Sequence, residues 1–181
     1  HIGNYGYKMS EQESDSMKIS GLICKDFNID DSRYGSDGNL KDYFAKENMF
    51  VISEIDTRAL VSYIRDKGVM NVLISSEVDN VEFLKNKLTT VPSMNGLELA
   101  SFVSTKEIYN LGDSKSKYKV AVLDFGIKRN ILKCLEKLGV YIKVFPMSTK
   151  IDDIMNWNPS GIFLSNGPGD PAAMRDSIKD I

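Results

Sequence analysis

Between Lys119 and Leu164 the chain alternates strand and helix signals in the rhythm of a parallel α/β sheet. Val120, Ala121, Val122 and Leu123 form an unbroken apolar run, the pattern of a strand buried on both faces. Asp124-Phe125-Gly126 then predicts a tight turn. Ile127, Ile131, Cys134 or Leu135, and Leu138 mark the apolar stripe of a helix that Gly139 ends. Val140–Phe145 is the next strand, closed by Pro146. Ile151–Trp157 reads as a short helix stopped by Asn158 and Pro159, and Gly161–Leu164 is a third strand. Strands begin about 20 residues apart, which is what parallel crossovers need.

The third strand runs into Ser165-Asn166-Gly167-Pro168-Gly169-Asp170-Pro171. Open α/β sheets bind ligands at the carboxyl ends of their strands. Glycines let a backbone approach a ligand closely and take positive φ. Exposed N–H groups in such a turn hold a carboxylate or an oxyanion. Pro168 and Pro171 stiffen the path and donate nothing, and Pro171 suits the first turn of a helix after Asp170. On composition alone, a plain strand-to-helix turn rich in breakers fits the same residues.

The totals exclude several classes. With 181 residues the chain has room for one large or two small domains. A formal net charge of -2 lacks the basic excess of a nucleic-acid-binding domain. Two cysteines do not make a disulfide scaffold, and a reducing, cytoplasmic setting is expected. No apolar run reaches the roughly 20 residues that span a bilayer, and no signal-peptide pattern is present.

The amino-terminal part reads less sharply. Residues 1–18 are a polar lead-in, Ile19–Phe27 a strand, Asn28–Asn39 a loop and Leu40–Asn48 a short helix with Leu40, Tyr43 and Phe44 on one side. Val51–Ile55 is a short strand, and Asp56 suits the N-cap of a helix carrying Leu60, Val61 and Ile64 and ending at Gly68. Val69–Ser75 is expected to be another strand, and Val81–Val91 a helix with Val81, Leu84, Leu88 and Val91 on one face. Met94–Leu111 fits no single period. Gly112–Lys117 has no apolar residue and is read as a domain boundary or a surface loop.

Other chemistry finds little support. Asp124-Phe125-Gly126 echoes the kinase metal-binding triplet but lacks its catalytic loop and phosphate loop, and it lacks the spaced glycines of a dinucleotide fingerprint. Lys128 and Arg129 read as a solvated helix start. Cys24, in a strand pattern, and Cys134, on an apolar helix face, both read as core cysteines. His1 is the sole histidine, so no cysteine–histidine pair assembles, and no metal-ligand cluster stands out.

The strand Gly161-Ile162-Phe163-Leu164 with the loop Ser165–Pro171 resembles the corresponding segment of class I glutamine amidotransferases. Val122–Leu135 narrows the resemblance to the small subunit of carbamoyl phosphate synthetases. His1-Ile2-Gly3-Asn4 with Glu13-Ser14, Ile55–Leu60 and Gly68–Ser75 agree with it. The resemblance runs the whole chain. It implies an α/β fold: residues 1–111 as the later part of a small amino-terminal domain, 112–118 as a linker, and 119–181 as the first part of a flavodoxin-like amidotransferase domain. It implies hydrolysis of glutamine to glutamate and ammonia, which passes to a large partner subunit. That partner makes carbamoyl phosphate from bicarbonate with ATP and magnesium, for arginine and pyrimidine synthesis. Gly167 and Gly169 match the glycines that contact glutamine and help form the oxyanion region.

The resemblance also implies what this chain does not carry. The family's cysteine nucleophile follows Ile181, its histidine and glutamate lie further on, and a glutamine-contacting serine precedes His1. No catalytic residue is therefore assigned here, nor any cofactor or metal site, and Cys24 and Cys134 do not fill the gap. The chain is expected to be a piece of a longer polypeptide and to be inactive alone. The rival expectations are a non-catalytic module docking on the large subunit, and a stray flavodoxin-type domain with an anion site at Gly167–Gly169.

Overall fold

A computed structural model of the chain describes residues 5–76 and 80–181. The motif His1–Asn4 lies outside the described residues. The chain packs as two compact units, His1–Val69 and Met70–Ile181.

The first unit is built on two short parallel strands, β1 (Gly21–Ile23) and β2 (Phe50–Ile52). Helix α1 (Leu40–Lys46) crosses between them, capped by the Asn39 side chain, which accepts the Asp42 N–H. Its Phe44 is buried and stacks on Phe27 with ring centroids 6.0 Å apart. Cys24 continues β1, donating its N–H to the Ile52 carbonyl, and is 3% exposed, as a core cysteine should be. Asp56 caps α2 (Thr57–Lys67) through the Ala59 N–H, and Gly68 ends it, both as the sequence predicts. Val61, Tyr63 and Ile64 of that helix remain exposed.

Val69–Ser75, where the first unit gives way to the second, does not form the expected strand. Its described residues join no ladder, and Val72 is 62% exposed. A β-branched run favours extended backbone, but only a neighbouring strand makes it a sheet. Helix α3 (Val81–Thr89) follows, capped by Asn80, and half-buries Leu84 and Leu88.

The main sheet has four strands in the order β3-β5-β4-β6: β3 (Tyr109–Leu111), β4 (Lys119–Asp124), β5 (Tyr141–Pro146) and β6 (Gly161–Leu164). β4, β5 and β6 run parallel, as expected, while β3 is antiparallel to β5. β3 and the short helix α4 (Ala100–Val103) resolve the stretch that showed no clear period. Residues 112–118 connect β3 to β4 within this sheet.

Alternation along β4 splits the core. Ala121 and Leu123 join Phe145, Ala100, Phe125 and Ile154 on one face. Val122 joins Ile142, Val144 and Leu132 on the other. Burying each larger side chain here contributes roughly 1.5–3 kcal/mol. Helix α5 (Arg129–Lys137) covers the second face with Leu132, backed by Ile127 and Leu135. Cys134 is exposed, contrary to expectation, and Leu138 is 76% exposed. The helix begins at Arg129 and turns Leu132 inward, and a residue two positions away cannot share that face. Helix α6 (Ile151–Asn156) covers the first face with Ile154, and α7 (Arg175–Asp180) closes the chain. No described helix is long and apolar enough to cross a membrane.

Candidate functional site

Three segments of the second unit converge beyond the carboxyl ends of β4 and β6: the turn Asp124–Ile127, the loop Ser165–Pro171 and the segment Gly96–Thr105. The loop leaves β6 with the Ser165 N–H still bonded to the Leu123 carbonyl at 3.2 Å. The Ser165 hydroxyl then takes over the sheet's work. Its Oγ accepts the Phe125 N–H at 2.9 Å and donates to the Asn166 carbonyl at 2.8 Å. The loop is thereby fixed to the turn after β4.

The two glycines are required by contact. A Cβ on Gly167 would overlap the Phe125 carbonyl oxygen. Gly169 has φ +88, and a Cβ there would lie 2.6 Å from the Leu97 carbonyl and 2.9 Å from the Leu99 nitrogen. Only a residue without a side chain passes between these backbones. Gly169 forms an isolated antiparallel bridge with Glu98, and the Asp170 N–H donates to the Leu97 carbonyl at 2.9 Å.

Asp170 is the loop's anchor. One carboxylate oxygen accepts the Gly96 N–H at 2.8 Å, the other the Ala172 N–H at 2.9 Å. The Gly96 bond first, and then the Ala172 bond, hold this carboxyl below the usual carboxylate range. Pro171 follows as the first residue of a 3-10 turn, Pro171–Ala173, capped by Asp170, as its position in the sequence predicts.

Asp124 plays the matching part in the turn. It is 5% exposed, and its Oδ1 accepts the N–H groups of Gly126 and Ile127, both at 2.8 Å. Its Oδ2 accepts the Thr105 N–H at 2.7 Å. Buried Ser104 extends the contact by accepting the Met147 N–H at 3.0 Å. The sequence identifies this turn, and an aspartate two residues before a glycine signals the local bonds. Nothing in it signals the bonds to Thr105 or from Asp170 to Gly96.

This arrangement presents a rigid, glycine-lined backbone at a strand end, able to place N–H dipoles against an oxyanion. Gly167 and Gly169 both lie in this loop, one passing against Phe125 and the other against Leu97 and Leu99. Cys24 lies buried in the first unit, and Cys134 is exposed on α5. Lys128 and Arg129 are exposed. Among the described residues no group of three or more His, Cys, Asp or Glu is placed to hold a metal.

Comparison with known proteins adds the ancestry. Residues 1–74 match the family model described as carbamoyl-phosphate synthase small chain, CPSase domain, and residues 121–181 match glutamine amidotransferase class-I. The chain is 39% identical to a carbamoyl phosphate synthase small chain of Pyropia yezoensis, over 99% of this chain and 51% of that protein. It is 41% identical to the one of Buchnera aphidicola subsp. Schizaphis graminum, over 94% and 49%. It is 39% identical to the one of Chlorobaculum tepidum, over 99% and 49%. The chain spans about half the length of the curated relatives it matches. The two domain models match in order, and the relatives are similar along nearly all of this chain's residues, so the chain is similar throughout to about half of a carbamoyl phosphate synthase small chain, with its second part matching class I glutamine amidotransferases.

Proposed function

We propose that this chain forms the glutamine-contacting part of a glutaminase subunit. In this reading glutamine is hydrolysed to glutamate and ammonia. The ammonia goes to a large partner subunit, which makes carbamoyl phosphate from bicarbonate and ATP in the cytoplasm, for arginine and pyrimidine synthesis. ATP and magnesium belong to that partner.

The observation that carries the reading is the clamped loop Gly167–Gly169 at the carboxyl end of β6, in the segment that matches class I amidotransferases. A thiolate adding to the glutamine side-chain carbonyl turns that oxygen into an oxyanion. When the carbon–nitrogen bond breaks, ammonia leaves with an added proton, and water then cleaves the thioester to release glutamate. The role of Gly167 and Gly169 is to place fixed backbone dipoles against the substrate.

The nucleophile is not among these residues. Burial and the neighbouring Asp26 charge push the Cys24 thiol up, which favours the unreactive protonated form. A purified polypeptide of these 181 residues, of confirmed mass, is therefore expected to release no ammonia from glutamine above a no-protein control. Release that a thiol-blocking reagent abolishes would overturn this.

A second reading, a non-catalytic module docking on the large subunit, draws on the exposed Val61, Tyr63 and Ile64 of α2.

A further inference from the structure

Residues 95–105 lie between the two family matches, outside both. Yet they contact the glycine loop at one end and the turn after β4 at the other. At the first end the Gly96 N–H, the Leu97 carbonyl and Glu98 engage Asp170 and Gly169. At the second end the Thr105 N–H enters the Asp124 carboxylate. Between these ends the segment is itself braced. Ser101 donates its N–H to Glu98 Oε1 at 2.8 Å, and fully buried Ala100 is seated in the core beside Leu123 and Phe125. Each carboxylate spends one oxygen on its own segment and the other on this one.

We propose that residues 95–105 are a strap that sets the position of the Gly167–Gly169 loop, with Asp124 and Asp170 as its two positioning residues. The strap touches no reacting atom; it fixes where the loop's dipoles point. A carboxylate accepts at both oxygens, whereas an amide accepts at one and donates at the other. In Asp170→Asn the amide oxygen keeps the Ala172 N–H, and asparagine is itself a good cap. The amide NH2 then faces the Gly96 N–H, donor against donor. Asp124→Asn likewise keeps the Gly126 and Ile127 bonds and opposes Thr105. Each isosteric change detaches the strap and leaves the local turn.

The inference rests on the glutamine-contacting reading for its kinetic arm only. The first arm is amide hydrogen exchange on the 181-residue chain. Asp170→Asn is expected to speed exchange of the Gly96 and Asp170 N–H groups at least tenfold, with β4 and β5 amides unchanged. Ile142→Val, a core truncation on the opposite face, is the control and should leave the loop amides as they are. The second arm is glutaminase kinetics on the protein from its complete coding sequence, where both aspartate variants should raise the glutamine KM at least fivefold and move kcat less. Loop exchange that is unchanged in Asp170→Asn, or that rises no more than strand exchange, overturns the strap. So does a KM within twofold of wild type in both variants. A wild-type protein that does not hydrolyse glutamine would instead refute the functional reading, and the exchange arm would still decide the strap.

Discussion

The Asp170 carboxylate accepts the Gly96 N–H at 2.8 Å across a separation of 74 residues in sequence. That bond joins the start of the 3-10 turn after the glycine loop to a segment that precedes the whole parallel sheet. It explains why the loop, exposed at Asn166, Gly167 and Pro168, has a defined path: it is held at Ser165 on one side and at Asp170 on the other.

The clamp is expected to be acid-sensitive. The Gly96 and Ala172 N–H groups lower the Asp170 carboxyl, so its folded-state pKa lies below its unfolded one. Such a group contributes fully above the unfolded value, roughly 3.9, and its contribution is lost as pH falls through the folded value. Loop amide exchange, corrected for its intrinsic pH dependence, should accelerate as pH falls below about 4 in the wild type. The Asp170→Asn chain should show no such step. An NMR titration placing the Asp170 carboxyl at or above the ordinary value would contradict this.

The two cysteines should separate cleanly under a thiol reagent. Cys134 is exposed on α5, whereas Cys24 is buried with a raised pKa. At neutral pH, Cys134 is expected to react at least about 100-fold faster, with Cys24 following only as the first unit opens. Cys134→Ser should remove the fast phase and leave the slow one, which denaturant accelerates. Equal rates would contradict the assignment.

The parallel strands are readable because Val120–Leu123 is an unbroken apolar run and Val140–Phe145 alternates Tyr141 and Lys143 with Val140, Ile142 and Val144, each bounded by breakers. Val120–Leu123 and Val140–Phe145 needed no further context to be placed. Asp56 and Gly68 were equally plain, since capping is a local interaction. Val69–Ser75 misled because it has strand composition without a strand to pair with. Cys134 misled because the stripe Ile131–Leu138 admitted two helix phases, and packing on Leu132 chose the other. Gly167 and Gly169 could be named from the loop's composition and family pattern. Their reason lies in close approaches to Phe125 and Leu97, and those long-range contacts leave no local signature.

Gly167 and Gly169, proposed as a wall of a glutamine site, are tested most directly by the glutamine KM of the protein from its complete coding sequence, with Gly167→Ala and Gly169→Ala compared against wild type. A Cβ at either position must displace the loop, by overlap with the Phe125 carbonyl at Gly167 and by the Leu97 carbonyl and φ +88 at Gly169. At Gly169 the φ of +88 costs an alanine about 1–3 kcal/mol, and the Gly167 variant must move its backbone away from Phe125, so folding is checked by amide spectra of β4 and β5. With the sheet intact, the glutamine KM is expected to rise about tenfold or more in both variants. A KM within twofold of wild type in both, in folded protein, would contradict it.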